Sequence, residues 1–242
     1  MADAQPNLVL LAGASGLVGG YALDALLQSS DVSRVIALSR LPLRREHPRL
    51  ANRIVQFERI ETQLQGTKCD VALSCLGTTL RAAGSEQAFR AVDVGYVLAF
   101  ARVARAAGAR RFEVVSSVGA DAASRNFYLR TKGEMEKGLE ALGFESLDIL
   151  QPSMLLGWRR DIRPLELAAA AVMPLVNPFL MGKYLPFRGI AARTVAAALL
   201  GAMRSGRRGV QRYEYPGLLA LARQGAPLVS KSAPPQARAG AR

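Results

Sequence analysis

The stretch from Leu8 to Gly20, LVLLAGASGLVGG, constrains the fold more than any other part of the chain. Asn7 to Ala12 is a short, almost wholly apolar run. Glycines follow at 13, 16 and 19, and Leu17, Tyr21, Leu23, Leu26 and Leu27 then recur at helical spacing. A buried parallel strand passing through a glycine turn into a helix accounts for all three features. Gly13 allows the tight turn, Gly16 lets the backbone approach a pyrophosphate, and Gly19 lets the helix pack close to the strand. The unpaired N–H groups of the helix start would face the phosphates. Three glycines alone also fit a turn with no ligand. Their place between an N-terminal strand and a helix is what predicts a dinucleotide site.

At 242 residues, half of them hydrophobic, the chain can bury a full core as one domain. No run reaches the ~18 uninterrupted apolar residues of a spanning helix. The N-terminus carries Asp3 and no basic leader, so a cytoplasmic protein is expected. Cys69 and Cys75 have only His47 as a histidine companion in the whole chain, which argues against a zinc site and a His-based triad; no metal is expected. The net charge of +13 is spread over pairs such as Arg44-Arg45, Arg110-Arg111, Arg159-Arg160 and Arg207-Arg208. Without a basic stripe interleaved with aromatics, this is read as solvated surface charge rather than a nucleic-acid surface.

Further along, Ser33 to Leu38 predicts a second buried strand, closing a βαβ unit. Ser39 and Arg40 follow, where an NAD site usually places an acidic residue for the ribose. A small residue plus arginine suits a 2′-phosphate, so NADP(H) is expected over NAD(H). Leu41 to Arg53 is expected as loop. Strands are predicted at Ile54–Phe57, Asp70–Leu76, Arg111–Ser116 and Glu145–Leu150. A long helix is predicted over Glu86–Ala107, capped by Ser85 and ended by Gly108. Another opens near Tyr128 and runs towards Leu142, where Gly143 stops it. The strand–helix alternation predicts an α/β fold, a doubly wound parallel sheet. It forms a single domain over residues 1–224, of which about 153–224 would lie mainly on the substrate side. Leu165 to Leu180 is nearly all apolar and would make any pocket it lines greasy. Thr194 to Met203 predicts a helix closing the core, and 225–242 a disordered basic tail.

Tyr128 and Lys132, four apart, share one face of their helix. An ammonium beside a phenol favours the phenolate and fits the tyrosine for acid–base work. Ser117, at the end of the preceding strand, could hydrogen-bond the carbonyl or hydroxyl that the tyrosine serves, with Ser116 as its rival.

These residues come in the order of the short-chain dehydrogenase/reductases. Over about residues 7 to 200 the chain resembles their atypical, compact branch, similar to the Tat-interacting-protein-like NADPH-binding oxidoreductases. GASGLVG at 13–19, CLGTT at 75–79, FRAVD at 89–93, VVSSVGAD at 114–121, YLRTKGEME at 128–136 and QPSMLLG at 151–157 carry the resemblance. It implies that Ser15, Gly16, Leu17 and Val18 wrap the pyrophosphate and that Arg40 takes a 2′-phosphate. It also implies Leu76 and Gly77 on the adenosine and ribose side, Leu155 at the nicotinamide end, and Arg163 reaching the cofactor from the next loop. Tyr128 would be the catalytic acid/base, with Lys132 its partner. Two departures stand out: Asp93 occupies the place of a common asparagine, and strand three ends in Glu58-Arg59-Ile60. A dimer through the exposed faces of the two long helices is a further implication.

The leading expectation is an NADPH-dependent oxidoreductase moving a hydride to or from a small, hydrophobic carbonyl or hydroxyl compound. A second reading, from another class, is an NADP(H)-sensing protein that regulates a protein partner. An epimerase or dehydratase acting on a nucleotide sugar ranks below both, because the chain after strand six looks short for the larger substrate subdomain of such enzymes.

Overall fold

The unbroken apolar run of β1 (Asn7–Ala12) is buried on both sides: Val9 and Leu11 enter one core, Leu10 and Ala12 the other. Such a strand has to lie inside a sheet covered on both faces, and it does. In the computed structural model, which describes residues 7–157 and 182–225, β1 is flanked by β2 (Val32–Ser39) and β4 (Val71–Ser74). β3 (Leu50–Ile54), β5 (Arg111–Val115), β6 (Ser146–Leu150) and β9 (Gly209–Tyr213) extend the sheet in the order β3-β2-β1-β4-β5-β6-β9. All of these pairings are parallel. The strand order reverses between β1 and β4, and the crevice at such a switch point is where open α/β sheets bind ligands. The expected doubly wound parallel sheet is the observed one.

One face of the sheet is covered by α1 (Leu17–Gln28) and by two C-terminal helices, α7 (Ala192–Ser205) and α8 (Tyr215–Gly225). The other face is covered by α5 (Val97–Ala106) and α6 (Phe127–Glu140), with the short α2 (Ile60–Gln63) beside them. β7 (Leu155–Leu156) and β8 (Ile190–Ala191) form a separate two-stranded parallel ribbon. The described part of the stretch read as substrate-side therefore also completes the sheet and one of its cores. Arg163, the greasy 165–180 segment and residues 226–242 of the expected tail lie outside the described residues.

Two expectations need correction. The third strand is Leu50–Ile54, so it starts within the stretch read as loop and ends where the strand was expected to begin, and Phe57 instead opens a 3-10 turn, Phe57–Arg59. This is an edge strand whose polar Asn52 is used internally. Its side-chain amide donates to the Ala37 carbonyl and the Ser39 hydroxyl, and its oxygen accepts from the Leu43 N–H. The long helix does start at a Ser85 cap and stop at Gly108, but it is not regular. It follows the single turn α3 (Leu80–Ala83), begins as α4 (Glu86–Arg90), widens into a π turn over Ala91–Tyr96 and resumes as α5. π turns shift side chains off the regular helical stripe and recur at functional sites. This one carries Asp93 into the interior.

Candidate active site

The glycine turn is built as its spacing requires. Gly13 has φ of 85°, and a Cβ there would lie 2.5 Å from the Cys75 carbonyl carbon on the next strand. A Cβ on Gly19 would fall 2.0 Å from the Gly13 carbonyl oxygen, so only hydrogen fits between turn and helix. Gly16 donates its N–H to Gly13 and caps α1 without a side chain of its own. The turn borders a cavity of about 940 Å³ whose lining includes Ser15, Gly16, Arg40, Arg44 and Arg45. A glycine cradle with no room for side chains, opening into that cavity at a helix N-terminus, fits the phosphates of a dinucleotide.

Several of the other candidate cofactor contacts, among the described residues, lie close to this turn. Leu76 and Gly77 follow β4, and Leu17 packs against Gly157 just beyond Leu155 in β7. Val18 and Gly19 are buried, with the Val18 side chain in the core beneath α1. Ser39 is buried too; its hydroxyl donates to the Leu41 carbonyl and accepts from Asn52, shaping the turn after β2. Arg40 is exposed at the cavity edge.

On α6, capped by the Asn126 side chain, Tyr128 lies half-buried with its ring tilted against Phe89 at 5.7 Å. One turn on, Lys132 is buried and its Nζ lies 2.6 Å from Asp93 Oδ1, while Asp93 Oδ2 accepts the Thr78 N–H at 2.9 Å. The helix thus brings an ion-paired lysine to the carboxyl end of β4, with Tyr128 one turn before it. The two rival serines have distinct settings. Ser116 is buried and donates its hydroxyl to Glu136, whereas the half-buried Ser117 makes only a 3.4 Å contact to the Val118 carbonyl. A hydroxyl already committed to a buried carboxylate is a poor substrate ligand, which favours Ser117.

Sequence reasoning did not find what holds this face together. Glu136, one turn beyond Lys132, also accepts from Gln151 at 2.9 and 3.1 Å and from Arg212 at 3.2 Å. It ties α6 to the ends of β5, β6 and β9. Its i+4 spacing from Lys132 was the available signal. Asp93 was visible only as a departure from a family pattern.

With this geometry in hand, the relatives fall into place. Residues 9–133 match the model of the NAD dependent epimerase/dehydratase family. Protein HTATIP2 of Rattus norvegicus is 38% identical over 168 residues, covering 67% of this chain and 68% of the relative. The mitochondrial protein fmp52 of Aspergillus clavatus is 36% identical over 169 residues, covering 66% and 71%. Among solved structures, MoeE5 in complex with UDP-glucose and NAD superimposes with a TM-score of 0.63 at 17% identity, covering 85% of this chain and 75% of that one. WbmG of Bordetella bronchiseptica in complex with NAD gives 0.65 at 14%, covering 88% and 74%. The chain belongs to the NAD dependent epimerase/dehydratase family, in the company of HTATIP2 and FMP52. It has the fold and family of an NAD-dependent enzyme; the resemblance implied the enzyme but the other cofactor.

Three expectations are overturned or reordered by these relatives. The NADP(H) preference does not stand: the family is described as NAD dependent, and both of those structures hold NAD. The inference from Ser39 and Arg40 missed local structure. The Ser39 hydroxyl is spent within its own turn, and Arg40 lies within electrostatic reach of Glu58. The Glu58 carboxylate, which accepts the Tyr96 hydroxyl, is held below its ordinary range first by that bond and further by Arg40. The cytoplasmic expectation is corrected as well, since the FMP52 relatives are mitochondrial by name. The epimerase/dehydratase reading, ranked below the others on chain length, is the one whose family matches. Among the described residues, no helix is long and apolar enough to cross a membrane.

Proposed function

We propose that the chain is an NAD-dependent oxidoreductase acting on a secondary hydroxyl, or the matching carbonyl, of a small sugar-nucleotide-like substrate. The observation that carries this reading is Tyr128 and Lys132 one helical turn apart on α6, with the buried Lys132 ion-paired to Asp93 at the edge of the crevice. Ser15, Gly16 and the start of α1 would hold the pyrophosphate, Leu76 and Gly77 the adenosine and ribose side, and Leu155 the nicotinamide end. When bound, NAD supplies the hydride acceptor or donor. Ser117 would orient the substrate oxygen by hydrogen bonding to it. Tyr128 would take the proton from a hydroxyl undergoing oxidation and return it to a carbonyl undergoing reduction. Lys132 would fix the geometry around the tyrosine, itself held by Asp93.

The substrate class draws on the solved neighbours, which include MoeE5 with UDP-glucuronic acid and a UDP-glucuronic acid 4-epimerase from Bacillus cereus. The test is turnover of UDP-sugars with NAD by the full chain, followed by NADH absorbance and product analysis, with apolar alcohols and aldehydes as a second arm. Tyr128→Phe is expected to lower kcat by about 10²- to 10⁴-fold while leaving NAD affinity in place. Full activity in that variant would remove Tyr128 from the chemistry. Tight NAD binding with no turnover in either arm would favour a cofactor-sensing role.

A further inference from the structure

Asp93 is fully buried in the π turn, with one carboxylate oxygen in ion-pair contact, though not in hydrogen-bond geometry, and the other hydrogen-bonded. Oδ1 meets the Lys132 ammonium at 2.6 Å and Oδ2 accepts the Thr78 N–H at 2.9 Å. The pair stands at the edge of the crevice. A Cβ on Gly77, exposed just beyond β4, would lie 3.5 Å from Asp93 Oδ1 and 3.7 Å from Lys132 Nζ. The other carboxylates on this stretch of α6 have their own cations: Glu134 pairs with Arg90, and Glu136 and Glu140 with Arg212. Asp93 and Lys132 therefore cancel one another's charge at this edge of the crevice.

Lys132 is one helical turn from Tyr128, the hydroxyl proposed to serve the hydride transfer, so that balance bears on a nicotinamide ring that is cationic when oxidised and neutral when reduced. An uncompensated ammonium would repel only the oxidised form. We infer that Asp93 is a positioning residue that cancels the charge of Lys132 and thereby sets the preference of the site for oxidised over reduced nicotinamide. The inference rests on the dinucleotide reading above. It adds a determinant of cofactor redox state that depends on this pair and not on the glycine turn.

The sign of the effect separates this role from mere support of the fold. Asp93→Asn keeps the side-chain shape and an acceptor for Thr78 but leaves one positive charge. Lys132→Met leaves one negative charge, and the double variant restores neutrality. Dissociation constants for NAD⁺ and NADH would be measured on the full chain, by calorimetry and by nicotinamide fluorescence. Asp93→Asn is expected to raise the ratio Kd(NAD⁺)/Kd(NADH) about tenfold, the size expected of one uncancelled charge several ångströms away at an intermediate dielectric. Lys132→Met should lower the ratio, and the double variant should return it near the wild-type value. If one single variant fails to fold, the other and the double variant still decide the matter. A ratio unchanged in the single variants, or moved the same way by both, overturns the inference while the dinucleotide reading survives. Failure of the wild type to bind either nucleotide overturns both.

Discussion

Two buried carboxylate centres on opposite sides of the sheet handle their charge in different ways. At the crevice, Asp93 is paired with a lysine. On the α7 side, Glu113 of β5 and Asp148 of β6 are register partners on neighbouring parallel strands, both buried, with no ion pair to either among the described residues. Asp148 accepts from Ser146 at 2.8 Å and from Tyr213 at 2.9 Å. Neither oxygen of Glu113 has a hydrogen-bond partner there, and a guanidinium N–H of nearby Arg111 goes to the Met203 carbonyl instead. Burial, and then the neighbouring Asp148 charge, push the Glu113 carboxyl well above its usual range; burial likewise raises Asp148. One centre balances its charge with a cation; in the other, burial favours the protonated carboxyl. The first is an ion pair, and it stands at the edge of the crevice.

The contrast breaks most visibly at Lys132. Lys132→Met strands a buried carboxylate without its cation and is expected to cost about 3–5 kcal/mol of stability by chemical denaturation. Adding Asp93→Asn should recover part of that loss. A cost below about 1 kcal/mol would mean that the pair is far better hydrated than its burial indicates.

At the other centre the expected effect is smaller. Tyr213→Phe removes the hydroxyl that donates to Asp148 and is expected to cost about 1–3 kcal/mol, since the carboxyl keeps its burial and loses a donor. The Tyr213 hydroxyl is itself pushed up to about 12, by burial and then by the Asp148 charge, so it serves as a donor across the ordinary pH range. A variant as stable as wild type would show that Ser146 alone suffices for Asp148.

The same two centres show which features a sequence can expose. The glycine turn was legible because close backbone approach excludes Cβ atoms, and that exclusion leaves a fixed spacing. Tyr128 and Lys132 were legible because four residues make one helical turn. Asp93 escaped assignment to Lys132 because the π turn breaks the periodicity that sequence patterns assume. Glu113 and Asp148 lie far apart along the chain and become neighbours only once β5 and β6 are in register. β9 and α8 were missed for related reasons. GVQRY is an edge strand without an apolar run, and α8 meets α7 through glycines: a Cβ on Gly201 would strike the Leu221 carbonyl, and one on Gly225 the Ala197 carbonyl. Arg40 misled because its surroundings are set by the fold: it stands exposed at the cavity edge, within electrostatic reach of Glu58 in the 3-10 turn after β3.

The finest probe of the comparison is Glu113→Gln, because it removes the proton requirement without emptying the site. In the wild type the folded-state carboxyl titrates well above its usual range, whereas the unfolded chain titrates near ~4.3. The folded state therefore holds this proton after the unfolded chain has lost it. That contribution to stability is fully present below the unfolded value and is lost as pH rises through the folded one. Glutamine is neutral throughout. The variant should therefore gain on wild type as pH rises from 5 towards 9, by on the order of 1 kcal/mol for each unit of displacement reached, and converge with it near pH 4. Paired urea unfolding curves across that range measure the difference. A difference that stays flat with pH would show that Glu113 does not keep its proton in the fold, and the two centres would then not differ in the way their partners imply.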